Sequence, residues 1–286
     1  MKSCDKYHAQ ISLTIVISLW SCFTIKAQPF PINSRECGLS KPLGRVINGS
    51  ITWRAQVPWL VHVFAVSKKG HGIPCGGSII TRDVVMTAAH CVYKASTGGR
   101  VVVYHNTTSR HDDKQIDVKL TMVHRKYKGL DSGYNIALLK LSRPLRRFDS
   151  FVRPVCLPKQ GERTKAIKML IAGYGDTDMN NGPPDRIFYY GANVLSDSSC
   201  ARAISKQWWT ISPRVRKLFM CSRNSRKTAY QGDSGDPVTA HVRGKSVQYG
   251  IVSFGHKRNR GPAPILHTRV SVFIKWINKA LQKMGQ

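Results

Sequence analysis

Three short strings hold residue types suited to hydrolytic chemistry. Thr87-Ala88-Ala89-His90-Cys91 carries a histidine, Gly232-Asp233-Ser234-Gly235 carries a serine between glycines, and Ile136-Ala137-Leu138-Leu139-Lys140-Leu141, preceded by Asn135, lies between them. A serine hydroxyl is a weak nucleophile until a neighbouring imidazole takes its proton as it attacks, so these two residue types, brought together, could perform nucleophilic catalysis. Metal chemistry is not indicated, because the chain has no CxxC pair and no His-Cys cluster at zinc spacing. No cofactor is expected.

The elements that must position these residues are mostly strands. Short, β-branched apolar runs recur between Gly, Pro and Asn clusters: 57–66, 84–86, 101–104, 118–123, 136–141, 169–172, 187–194, 247–254 and 266–270. Such spacing predicts an all-β sandwich or barrel. The last stretch alone has a helical period, with Val272, Phe273, Trp276, Ile277, Ala280 and Leu281 on one face and Lys275, Lys279 and Lys283 sharing the other.

The chain has 286 residues, with 45 Lys plus Arg against 15 Asp plus Glu, a formal charge of +30. The cations are spread along its length, so the excess belongs to a folded surface and suggests a polyanionic partner. Lys2 and Lys6 precede an apolar run from Ile11 to Phe23, then Ile25-Lys26-Ala27. That pattern reads as a secretory signal peptide over 1–27, the run being shorter than the roughly 18 residues of a membrane span. No transmembrane segment is expected downstream. Cleavage there takes the charge to +28 and the eight cysteines to six: Cys37, Cys75, Cys91, Cys156, Cys200 and Cys221. In an oxidising compartment six cysteines read as three disulfides, with the pairing open. Residues 28–45, rich in proline, read as a linker or propeptide.

Taken together and in order, the three strings resemble the trypsin and chymotrypsin family of serine proteases, over essentially all of 46–286. The resemblance implies two antiparallel six-stranded β-barrels, chymotrypsin-like, with a C-terminal helix. It places His90 and Ser234 as base and nucleophile and the N–H groups of Gly232 and Ser234 as the oxyanion hole, where glycine lets the backbone turn its donor toward developing charge. Arg45-Val46-Ile47-Asn48-Gly49 is similar to the family's activation site: an activating protease would cut after Arg45 and the Val46 ammonium would pair with Asp233. The family's disulfide pattern implies Cys37–Cys156, Cys75–Cys91 and Cys200–Cys221. Two further bridges common in the family are absent, with Tyr230 and the 257–261 stretch at one and Met169 and Ala240 at the other.

Other positions differ from the family. Asn135 stands where the family has the triad aspartate; an amide there can donate to Nδ1 of the histidine and select the wrong tautomer, an exchange that costs about 10⁴ in kcat in a protease of this fold. Asp131, four residues earlier, is a carboxylate that the loop could bring in instead. Asp236 replaces a glycine two residues after Ser234, and two readings stand: burial against the backbone or a side chain facing solvent. The specificity pocket would have Thr228 at its floor, so no carboxylate awaits a Lys or Arg side chain. Ser253-Phe254-Gly255 would pair with substrate backbone, and Ile265, after Pro264, would fill the pocket and favour a small apolar residue. The interval from Cys200 to Cys221 holds Trp208, Trp209, Arg214, Arg216 and Lys217 on the substrate rim, gripping a partner or covering the body. Asn48 and Asn106 head N-glycosylation sequons.

The expectation is a secreted, extracellular zymogen-type serine endopeptidase-family protein of low or absent activity, with a protein or peptide substrate. The alternative is a non-catalytic, cationic protein of the same fold, a pseudoprotease that binds a heparin-like glycosaminoglycan through Lys275, Lys279 and Lys283, or a protein partner. Residues 46–286 alone retain a formal charge of +26. No nucleic-acid module is evident.

Overall fold

The computed structural model describes residues 32–41, 50–51, 54–106, 114–165, 168–174, 187–207, 211–224, 232–254 and 264–286. In chain order the strands of the first half are β1 (Ser50–Ile51), β2 (Leu60–Val66), β3 (Gly72–Ile79), β4 (Val84–Thr87), β5 (Arg100–Tyr104), β6 (Gln115–Val123) and β7 (Ala137–Leu141). Those of the second half are β8 (Lys168–Gly173), β9 (Phe188–Val194), β10 (Phe219–Arg223), β11 (Pro237–Val242), β12 (Lys245–Phe254) and β13 (Ile265–Arg269). Three helices punctuate them: α1 (Ala89–Val92), α2 (Asp197–Gln207) and α3 (Ile274–Lys283).

Strands β2-β3-β4-β7-β6-β5 close one antiparallel barrel. Its strands β4 and β7 are packed on both faces, and Val63, Val85, Met86, Val103, Ile116, Leu138 and Leu139 are all at most 2% exposed. The second sheet runs β1-β9-β10-β13-β12-β11-β8, and β8 pairs again with β9. Six of its strands therefore form a second barrel, with β1 paired to the first residues of β9. Met169, Ile171, Met220, Val238, Val252 and Ile265 fill it. The architecture is the expected pair of six-stranded barrels, and α3 closes the chain by burying Ile274, Ile277, Ala280 and Leu281.

Several elements were not expected. Strand β3 reads as Gly-Ile-Pro-Cys-Gly-Gly-Ser-Ile, a poor strand by composition, yet it pairs with β2 from Gly72 to Ser78. Its glycines serve close approach: a Cβ on Gly77 would press on Val63 and Val85 at 3.0 Å. Strands β10 and β11 also escaped the pattern of apolar runs. Helix α2 corrects the reading that only the C-terminus is helical. Cys200 and Ile204 are its fully buried residues, too few for a visible period, but Ser196 accepts from Ser199 N at 3.2 Å, which marks the capped start of the helix.

The disulfides are Cys37–Cys156, Cys75–Cys91 and Cys200–Cys221. Met169 and Ala240 both lie in the core of the second barrel. No helix among the described residues is long and apolar enough to cross a membrane.

Candidate active site

The two barrels meet around His90, Asn135 and the turn at Ser234. His90 lies on α1, directly after β4, and Cys75–Cys91 ties that helix to β3. Asn135 sits just ahead of β7 and is fully buried. Its backbone oxygen accepts from Thr268 Oγ1 of β13 at 2.9 Å, so the second barrel fixes a residue that the first barrel carries.

The Asn135 side chain has four contacts. Its Oδ1 accepts the backbone N–H of His90 at 3.0 Å, which identifies that atom as oxygen because a peptide nitrogen only donates. Its Nδ2 donates to Ser253 Oγ at 2.7 Å. The same Nδ2 lies 2.9 Å from His90 Nδ1, whereas Oδ1 lies 3.2 Å from it. One Nδ2 hydrogen points at Ser253 and the other faces the imidazole. Nδ2 is thus the nearer of the two amide atoms to Nδ1, the contact in which Nδ1 accepts and the ring proton lies on Nε2. Burial pulls the His90 pKa below its ordinary value, and a side-chain hydrogen bond with Asn135 opposes that shift. Asp131 is exposed on the 3-10 turn Leu130–Ser132 and makes no bond to His90 among the described residues.

Ser234 sits in a turn docked on the first barrel. Its carbonyl accepts from Gly76 N at 2.8 Å, and Gly235 N donates to Val252 O at 2.9 Å. Gly232 and Gly235 have φ of 99° and 88°, a region open to glycine and strained for other residues. Among the described residues neither Gly232 N–H nor Ser234 N–H donates to a backbone carbonyl, and Ser234 Oγ forms no hydrogen bond to His90.

Asp236, whose orientation the sequence left open, is 0% exposed. Burial, then the charge of Asp233, then a side-chain hydrogen bond with Asp233 push its carboxyl well above the usual carboxylate range. Asp233 itself is buried.

Ile265 is completely buried among Met220 and Val252, with its backbone opposite Ser222. Beside it lies a pair that sequence reasoning missed: Ser222 Oγ and His267 Nε2 are 2.7 Å apart, both fully buried. Neither residue belongs to a recognisable string, and the two are distant in the chain. Cys75, His90 and Cys91 bring their ligand atoms together, but the two sulfurs form a disulfide and leave no thiolate for a metal. Residues 1–31 and 42–49, with the expected signal peptide, Arg45, Val46 and Asn48, lie outside the described residues. So do Trp208, Trp209, Thr228, Tyr230, Gly255 and the 257–261 stretch. Asn106 is partly buried at the end of β5, with φ 52°. Lys275, Lys279 and Lys283 are exposed on the outer face of α3.

The family model for trypsin matches residues 46–277. Among curated relatives, chymotrypsin-C of Rattus norvegicus is 30% identical over 281 residues, covering 95% of this chain and 99% of its own. The clotting factor G beta subunit of Tachypleus tridentatus is 29% identical over 263 residues, covering 87% of this chain and 83% of its own. Among solved structures, HL collagenase superposes with a TM-score of 0.70 at 22% identity, over 83% of this chain and 99% of that one, a likeness of fold. A structure described as GrC gives 0.69 at 26% identity, over 83% of this chain and 100% of that one.

Proposed function

The chain belongs to the trypsin family of serine proteases, and from that premise we propose a secreted, zymogen-type member whose peptide-bond hydrolysis is slow because Asn135 takes the place of the triad aspartate. In this reading Ser234 is the nucleophile, His90 the base, and Gly232 and Ser234 supply the oxyanion donors. Cleavage after Arg45 by an activating protease frees the Val46 ammonium to pair with Asp233. Protein or peptide substrates present a small apolar residue to a pocket with Thr228 at its floor. Three disulfides support an oxidising, extracellular setting.

The observation that carries the reading is the 2.9 Å contact between Asn135 Nδ2 and His90 Nδ1. Attack requires the Ser234 proton to pass to a bare Nε2 while Nδ1–H donates to an acceptor. An amide whose oxygen is engaged by the His90 backbone N–H and whose NH₂ faces Nδ1 favours the opposite tautomer. It also brings no negative charge to stabilise the imidazolium that follows. The exchange is worth about 10⁴ in kcat, roughly 5–6 kcal/mol of barrier, and leaves residual catalysis from the oxyanion donors.

The test is labelling by a serine-directed fluorophosphonate after cleavage at Arg45. Slow labelling of the wild type, none in Ser234→Ala and fast labelling in Asn135→Asp are expected. Equal labelling of wild type and Asn135→Asp would refute the tautomer argument.

A second reading is favoured by the charge and by the exposed lysines on α3. In it the protein binds a heparin-like glycosaminoglycan through Lys275, Lys279 and Lys283, with catalysis secondary or absent.

A further inference from the structure

Two residues after Ser234 the chain buries a carboxyl group in a slot built for it. The Asp236 side chain lies between the backbones of Gly76 in β3 and Gly173 in β8. A Cβ on Gly76 would come within 1.6 Å of Asp236 Oδ1, and one on Gly173 within 1.6 Å of Oδ2. The slot therefore exists only because both positions are glycine. Backbone bonds hold the residue in place: Asp236 N donates to Asp233 O at 3.1 Å, and Asp236 O accepts from Val252 N at 2.9 Å.

No N–H or O–H of the described residues reaches either Asp236 oxygen. A bare carboxylate in that position would lose its hydration and gain nothing, so the group keeps its proton. Gly76 and Gly173 face it with backbone alone. Among the described residues Asp233 is the titratable group that acts on it, and the two share a side-chain hydrogen bond. A carboxylate cannot donate, so the proton in that bond is the one Asp236 retains, and the pair carries a single negative charge.

We propose that Asp236 is a positioning residue that acts through Asp233: as a neutral carboxylic acid it donates to the Asp233 carboxylate and holds the Gly232–Gly235 turn in the uncut chain. The proposal rests on the reading of Asp233 as the partner of the ammonium released at Val46. It adds that a proton already does part of that ammonium's work before cleavage. Cut and uncut forms then differ less in the order of this turn than they would with glycine at 236. Raising the pH ionises Asp236, sets two anions side by side and loosens the turn.

The full secreted chain, uncut, supplies the test, and neither turnover nor cleavage is needed for it. Hydrogen exchange at the Gly235 and Asp236 amides would be followed from pH 5 to 9, after correction for intrinsic exchange. In the wild type protection should fall at least tenfold as Asp236 ionises. In Asp236→Asn, whose amide still donates to Asp233 and does not ionise, it should stay level. In Asp236→Gly the turn should exchange at least tenfold faster than wild type at pH 5. The same loss with pH in Asp236→Asn, or wild-type protection in Asp236→Gly, would overturn the proposal. Carboxyl ¹³C titration of the wild type covers the case in which a variant does not fold: Asp236 ionising near the ordinary value of about 4 is the overturning result. Failure of Asn135→Asp to gain labelling bears on the catalytic reading and leaves these readouts unaffected.

Discussion

Asn135 Nδ2 donates to Ser253 Oγ at 2.7 Å, and that bond decides which face the amide turns toward His90. With the oxygen already engaged by the His90 backbone N–H, the serine of β12 leaves the second amide hydrogen for Nδ1. The amide nitrogen therefore lies 2.9 Å from Nδ1 and the oxygen 3.2 Å from it, an orientation set across the junction of the barrels.

Nitrogen chemical shifts of His90 read this directly. The wild type should have an unprotonated Nδ1 and a protonated Nε2. Asn135→Asp should reverse the two, with the Ser253 hydroxyl rotating to donate to the new carboxylate, and fluorophosphonate labelling should accelerate by about 10²–10⁴. Ser253→Ala in the wild-type background should cost about 1–2 kcal/mol in denaturant unfolding, because a buried amide hydrogen loses its acceptor. A protonated Nδ1 in the wild type would contradict the assignment.

His267 makes acid stability a sensitive measurement. Complete burial pulls its pKa down to about 3, with Ser222 at Nε2 and no partner for Nδ1 among the described residues. Its folded-state value lies below the unfolded value of about 6.5, so the unfolded chain binds the proton first. Stability from the neutral ring is present in full above pH 6.5 and is lost as pH falls toward 3, by about 5 kcal/mol at most. His124, partly buried and beside Arg125 and Lys126, is pulled down to about 4 and adds to the same slope. Thermal melts from pH 8 to 4 should show the decline, and His267→Gln should flatten it. An unchanged slope in that variant would remove His267 from the account.

An all-β sandwich or barrel was legible in the spaced β-branched runs, and the pair of six-stranded barrels was implied by the family resemblance of the strings around His90 and Ser234. Strand β3 was not, because Gly76 and Gly77 are chosen for what approaches them, Asp236 in one case and Val63 with Val85 in the other. The strings around His90, Asn135 and Ser234 are local and stand out in one dimension. The Ser253 bond that orients Asn135 is tertiary, as is the pairing of Ser222 with His267, so neither leaves a local trace. For Asp236 the sequence left two orientations open. The glycines that settle the matter, Gly76 and Gly173, belong to different barrels.

Lys140 and Asp83 form an ion pair at 2.6 Å, with side chains 8% and 19% exposed, on β7 and at the start of β4. Thr81 Oγ1 also donates to Asp83, at 3.1 Å. Lys140→Met strands a partly buried carboxylate, and the expected cost is about 2–4 kcal/mol in the unfolding free energy. Adding Asp83→Asn should recover part of it, because the stranded charge is then gone. A double variant no more stable than Lys140→Met would mean that packing of the lysine stem outweighs the charge.

The lysines of α3 test the second reading of function. Lys275, Lys279 and Lys283 recur every four residues on the exposed face, while Ile274, Ile277 and Leu281 anchor the opposite one, so the helix holds three cations in a row with no need for loop order. A sulfated polysaccharide can meet all three at once, and its affinity then falls steeply as salt screens the contacts. Elution from immobilised heparin should need salt well above the physiological level. The triple change Lys275→Gln, Lys279→Gln and Lys283→Gln should bring it clearly earlier, and Ser234→Ala should elute with the wild type. Elution of the wild type at physiological salt would rule out the polyanion reading. A triple variant that elutes late would move the binding surface away from α3, to the remaining cations of a chain whose formal charge is +30.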